Sequence, residues 1–137
     1  MPQEHWQSEP EDHDFPAAAN YLSLVMPQFA ATALANTLRT APTIIYQAKD
    51  LLRASRLPLL KKTNLHVADD LAKVREGQLL SPVLLVRGNV RNGLPLTIAD
   101  GYHRICASYW IDENANIPCR ISDLATGASP VEAAVPS

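Results

Sequence analysis

The sequence predicts a small single-domain α+β fold, because strand-type apolar runs and helix-type amphipathic stretches follow one another without the regular alternation of a doubly wound sheet. Three stretches carry this reading. Val83-Leu84-Leu85-Val86 is a continuous apolar run between Pro82 and Gly88, the pattern of a strand covered on both faces. Asn92-Gly93 is a strong turn signal and joins that run to a second strand over Leu94 to Ala99, so the two are expected to pair as a hairpin. Asn64 is placed to cap a helix with Leu65, Ala68, Leu71 and Ala72 on its inner face and Gly77 as its stop.

The remaining elements fall around these. Residues 1–15 are polar, acidic and interrupted by Pro2 and Pro10, and read as a disordered lead-in in which His5, Trp6 and His13 carry no role. Asp14 can cap a helix entered through Pro16, on which Leu22, Val25, Met26 and Phe29 recur at helical spacing. Pro27 divides this stretch, and a second helix continues through Leu34 and Leu38, giving an N-terminal helical extension over residues 16–40. Thr43 to Tyr46 is a β-branched strand, and Lys49 to Ser55 has helical composition ahead of Pro58. After Asp100-Gly101 a helix with Ile105, Cys106, Tyr109 and Trp110 inward leads to a last strand, Ile117 to Ile121, that closes the core. The domain thus spans residues 16–123, and residues 124–137, rich in Ala, Ser, Pro and Gly, form a flexible tail.

A chain of 137 residues with 47% hydrophobic content supplies one core and not two. Its formal charge of −2 points to neither a nucleic-acid nor a membrane partner. The charge is unevenly placed, however: residues 1–14 hold five acids and no base, whereas Arg39 to Arg104 holds eleven bases and five acids. Such a stretch suits a small anionic ligand better than a wrapped duplex. Cys106 and Cys119 form neither a disulfide scaffold nor a Cys-x-x-Cys pair, no acidic cluster marks a metal site, and the expected setting is the reducing cytoplasm. No secretory signal is read at the acidic N-terminus, and Ala17 to Leu38 is too interrupted to span a membrane.

The candidate site is Asp100-Gly101-Tyr102-His103-Arg104. Here a strand ends, a glycine makes the turn, and the first helical turn carries a histidine and an arginine. Free amides and the dipole of a helix start favour an anion, Arg104 offers a planar donor fork, and His103 can donate a hydrogen bond or carry a proton. The structural alternative is that Asp100 only caps the helix and Arg104 only pairs with Asp112 or Glu113. Lys49, directly after a strand, is the best placed of the other bases to extend an anion pocket; Arg53, Lys61 and Lys62 read as exposed side chains, and His66 as surface.

The run Ser81-Pro82-Val83-Leu84-Leu85-Val86-Arg87 followed by Asp100-Gly101-Tyr102-His103-Arg104-Ile105-Cys106-Ala107 resembles the N-terminal domain of ParB-type proteins, within the ParB/sulfiredoxin superfamily. There a Gln-Pro pair and an apolar strand precede a hairpin and a Gly-Glu-Arg-Arg motif that opens a helix. The resemblance covers about a third of the chain closely and extends loosely over Leu65 to Glu76. It implies a nucleoside di- or triphosphate with Mg²⁺, its phosphates held by Gly101, Tyr102, His103 and Arg104, with Ser81 where ParB has glutamine. Tyr102 stands where sulfiredoxin carries its catalytic cysteine, so sulfinic-acid reduction is not expected, and Cys106 falls on the buried face of the helix. The Asp-Gly-x-His-Arg form looks more like the small-molecule kinase branch, with Asp100 and His103 as catalytic groups and Asp100 or Glu76 as candidate general base. Centromere-type DNA binding is not expected of this chain alone.

Two functions are therefore carried forward. The first is a nucleotide-binding domain, acting as a phosphotransferase, a nucleotide hydrolase or a switch. The second is a non-enzymatic interaction module whose N-terminal helices form its contact surface, a homodimer among the outcomes.

Overall fold

Residues 5–124 are described by a computed structural model, so the lead-in before His5 and the tail after Leu124 lie outside it. Helices α1 (Asp14–Leu22) and α2 (Gln28–Thr40) precede strand β1 (Ile44–Gln47), α3 (Ala48–Ser55) and α4 (Leu65–Arg75). Strands β2 (Val83–Arg87) and β3 (Thr97–Asp100), helix α5 (Tyr102–Ile111) and strand β4 (Asn116–Asp123) complete the chain. The strands form one mixed sheet in the order β1-β4-β2-β3. β2 runs antiparallel to β3 and parallel to β4, while β1 pairs antiparallel with β4. The last strand therefore sits inside the sheet and does not close its edge.

Alternation along β2 sorts the core into two layers. Val83 and Leu85 face a cluster with Leu51, Val67, Ile105 and Ile117, under α3, α4 and α5. Leu84 and Val86 face the opposite cluster with Leu22, Ala31, Leu34 and Leu38, under α1 and α2. This double cover is what the uninterrupted apolar run requires. The hairpin forms as expected, but β3 begins only at Thr97: Pro95 has no amide to give a ladder, and the amide of Leu96 donates outside the sheet, to the carbonyl of Ala54 at 2.9 Å. Asn64 caps α4, its side chain accepting from the amides of His66 and Val67.

Five expectations need correction. The lead-in is folded from at least His5 onward: Trp6 is only 6% exposed, packs in the core, and bridges Leu80, whose amide donates to the carbonyl of His5 at 2.8 Å. One large indole supplies enough apolar surface to order a polar segment. Asp14 is not a cap; it lies inside α1, buried, and accepts from the amide of Glu11 at 2.9 Å. Val25 and Phe29 are exposed, because the break at Pro27 resets the helical phase and α2 turns Ala31, Leu34, Ala35 and Leu38 inward instead. In α4 the inner face is rotated: Val67 and Asp70 are buried, Leu71 and Val74 pack partly, and Leu65 is exposed. Trp110, expected inward, is also partly exposed, with its indole nitrogen donating to the carbonyl of Leu60 at 2.8 Å.

Trp6→Ala is expected to lower the unfolding free energy by about 3 to 5 kcal/mol, the usual loss for truncating a buried aromatic. Urea denaturation checks it, a change under 1 kcal/mol at unchanged m-value being the outcome expected of a disordered lead-in (about 1 kcal/mol or less for an exposed site).

Candidate functional site

β3 delivers Asp100 to the mouth of α5, and Gly101 makes the turn with φ +113°. A Cβ there would lie 2.4 Å from Cγ1 of Val83, so this glycine is required by backbone conformation and by contact with the core strand alike. No side chain caps α5, and the first amide of its ladder, that of Ile105, donates to the carbonyl of Gly101 at 3.0 Å. The amides of Tyr102, His103 and Arg104 precede that bond and have no partner within the helix.

Asp100 holds Arg104 and does not cap the helix. Nη2 of Arg104 donates to Oδ2 of Asp100 at 3.0 Å and to the carbonyl of Pro82 at 3.3 Å. Its Nε is buried and makes no hydrogen bond among the described residues. The expected alternative partners Asp112 and Glu113 are not engaged by it. Burial pushes the Asp100 carboxyl above its ordinary value; Arg104 opposes this, and the neighbouring buried Asp14 adds to it.

A polar cleft of about 250 Å³ opens between this turn and α4. Gly101, His103 and Arg104 face His66, Asp70 and Lys73 across it, and Asp69 and Asp100 complete its lining. The His66 and His103 rings lie 4.8 Å apart at 52°. Desolvation pushes the Asp70 carboxyl up, although Lys73 at 3.9 Å, Arg104 and His103 pull it down. His103 is lowered from 6.5, by burial first and then by His66 and Arg104, so it is neutral at pH 7 and able to accept a proton. No group of three or more His, Cys, Asp or Glu among the described residues is arranged to hold a metal ion unaided.

Not every residue singled out in the sequence reaches this cleft. Tyr102 turns away, its hydroxyl donating to the carbonyl of Pro58, and burial raises its phenol above the ordinary value. Ser81 is buried beside Leu80 and does not line the cleft. Lys49 lies on α3, in a separate depression shared with Arg53 and Arg56. Glu76 ends α4 in solvent and is not part of the cleft. Cys106 is buried, with its thiol pushed up by burial, and Cys119 is pushed up to about 12, so neither offers a thiolate near neutrality. Compared with models of known families, with characterised proteins and with solved structures, the chain matches none.

The residues that sequence reasoning missed, His66, Asp69, Asp70 and Lys73, were marked by their spacing. Positions 66, 69, 70 and 73 form one polar stripe along α4, which a search for apolar periodicity passes over.

The raised Asp70 carboxyl fixes a sign. Its folded state holds the proton more tightly than the unfolded chain, so its charge costs stability once the pH rises past the ordinary 3.8. Asp70→Asn is therefore expected to be at least as stable as the parent at pH 7 and to remove that loss between acidic and neutral pH. Thermal melts of both proteins from pH 3.5 to 7 test it; a parent that gains stability over that interval relative to Asp70→Asn contradicts the assignment.

Proposed function

We propose that the chain binds the phosphate groups of a nucleoside di- or triphosphate, with Mg²⁺, at the cleft where α5 begins. The observation that carries this is convergence: an uncapped helix start, Lys73 and the incompletely bonded Arg104 all border one polar space. Backbone amides and the helix dipole favour phosphate oxygens there. Asp70 and Asp100 both border the cleft, and the carboxylate of Asp70 and the Asp100 oxygen not bonded to Arg104 would be the protein oxygens open to a divalent cation that takes its remaining oxygens from phosphates and water. A volume of about 250 Å³ suits a phosphate chain and leaves the base and sugar outside it. The resemblance of Ser81–Arg87 and Asp100–Ala107 to the ParB/sulfiredoxin superfamily, read from the sequence, points the same way.

On this reading Asp100 positions the Arg104 guanidinium, and neutral His103 is the group able to take a proton from an attacking hydroxyl or water. Catalysis would then rest on positioning and charge neutralisation, as phosphoryl transfer requires.

Thermal shift with ATP, ADP, CTP and GTP, each with Mg²⁺, is expected to raise the melting temperature for at least one nucleotide. Arg104→Lys keeps the charge against Asp100 and removes the fork; binding is expected to fall at least tenfold, about 1.4 kcal/mol. Arg104→Ala is the poorer probe, since it strands a buried carboxylate. Silence from all four nucleotides, or full binding by Arg104→Lys, refutes the reading.

One observation favours the interaction-module reading as well. Leu24 is 81% exposed and Phe29 79%, with Tyr21 and Val25 also in solvent, all around the α1–α2 connection. Clustered large apolar side chains on a surface mark a contact site. If that site is a dimer contact, light scattering gives twice the monomer mass and Phe29→Glu restores the monomer; a strict monomer for both proteins removes the homodimer.

A further inference from the structure

A second hollow, of about 520 Å³, lies between α3 and the β2–β3 hairpin, beyond the start of β3 and so at the opposite end of that strand from the cleft. Its accessible wall includes Leu94, Leu96 and Ile121, with Leu51 and Leu85 buried behind them, and its rim carries Asp50, Arg53, Arg56 and Arg87. The size and the combination of apolar surface with a few polar groups are those of a small-molecule site.

The three guanidinium groups are not equivalent. Arg53 is paired with Asp50 at 3.0 Å, and Arg87 with Asp123. Arg56 has no carboxylate partner among the described residues. It is also the one non-glycine among them with positive φ, at 62°, where it ends α3 through its amide to the carbonyls of Leu52 and Arg53. Glycine is the residue that adopts this helix-ending conformation without strain, so the backbone alone gives no reason for an arginine. The Arg56 side chain is a planar cation without a carboxylate partner among the described residues, and it borders both this hollow and the depression that holds Lys49.

We propose that this hollow binds a small organic carboxylate with an aromatic or aliphatic body, the body against Leu94, Leu96 and Ile121 and the carboxylate on Arg56. A single unpaired guanidinium matches a monoanion, and its fork matches the two oxygens of a carboxylate. This hollow shares no lining residue with the cleft at α5, so its ligand is independent of the nucleotide reading.

Titration of the full chain, followed by amide chemical shifts, tests it with phenylbutyrate, indole-3-acetate and decanoate, and with uncharged phenylbutanol. At least one carboxylate is expected to shift the amides of Arg56, Leu94 and Leu96. Phenylbutanol is expected to bind at least fivefold more weakly than phenylbutyrate if the latter binds, and Arg56→Gly to weaken every carboxylate that binds by at least fivefold. Because Arg56→Gly relieves the strained backbone, its melting temperature should equal or exceed that of the parent, so lost binding cannot be laid to lost folding. Decanoate serves the variant comparison if phenylbutyrate does not bind. The proposal is overturned if no carboxylate shifts these amides, if the shifts fall on His103 and α5 instead, or if Arg56→Gly binds as the parent does.

Discussion

The first four residues of strand β2 have no solvent face. Val83 and Leu85 need cover from α3, α4 and α5, and Leu84 and Val86 need it from α1 and α2, so both helical layers are obligatory partners of one five-residue strand. The same constraint reaches the site. With β3 hydrogen-bonded to β2 and ending at Asp100, the chain must turn directly beside Val83, where only a residue without Cβ fits. Gly101 therefore starts α5 close against the sheet, and the first turn of that helix faces α4 across a narrow polar space. The glycine of the motif is thus explained by packing; the ligand argument has to rest on the groups around it.

Two partly or fully buried arginines make that distinction concrete. Arg120 spends its donors on the fold: Nη1 donates to the carbonyls of Leu38 at 3.2 Å and Arg39 at 2.7 Å, and Nε to Oγ1 of Thr43 at 3.3 Å. It satisfies the last carbonyls of α2 and complements the negative end of that helix. Among the described residues Arg104 is anchored through Nη2 alone, and its buried Nε has no partner. Carboxylates of raised pKa, Asp70 and Asp100, lie beside it. Trp6 Nε1 and Ser122 Oγ are also buried without a partner among the described residues, so it is the nearness of Arg104 to Lys73, His103 and two carboxylates in one cleft, not an unsatisfied atom by itself, that sets this edge apart.

Much of the frame could be read from the chain. The double cover of β2, the hairpin at Asn92-Gly93, the cap at Asn64 and the helix opening after Gly101 are each encoded within a few neighbouring residues, and local signals of that kind survive folding. What failed was whatever depends on distant partners. Trp6 looked idle because the surface it covers, at Leu80 and beyond, is more than seventy residues away. The phase of α4 was misjudged because Asp70, a polar residue, occupies its inner face where it borders the cleft. Lys49 and Ser81 were drawn toward the site by nearness to strands and by resemblance, but the sheet order sends α3 to another part of the surface and buries Ser81.

The distribution of charge changes meaning once the fold is known. In sequence, the stretch from Arg39 to Arg104 holds eleven bases against five acids. In space its acids are placed against its bases: Asp50 on Arg53, Asp70 on Lys73 and Asp100 on Arg104, while Asp123 from β4 meets Arg87. A surface that tracks a nucleic-acid backbone needs a row of cations free to displace counterions. Pairing of this kind takes four bases out of such a row, and Arg56 beside the apolar hollow is among those with no carboxylate partner among the described residues. Isolated points of positive charge beside small concave spaces recognise single anionic groups, and that physical property is common to both binding sites argued from this structure.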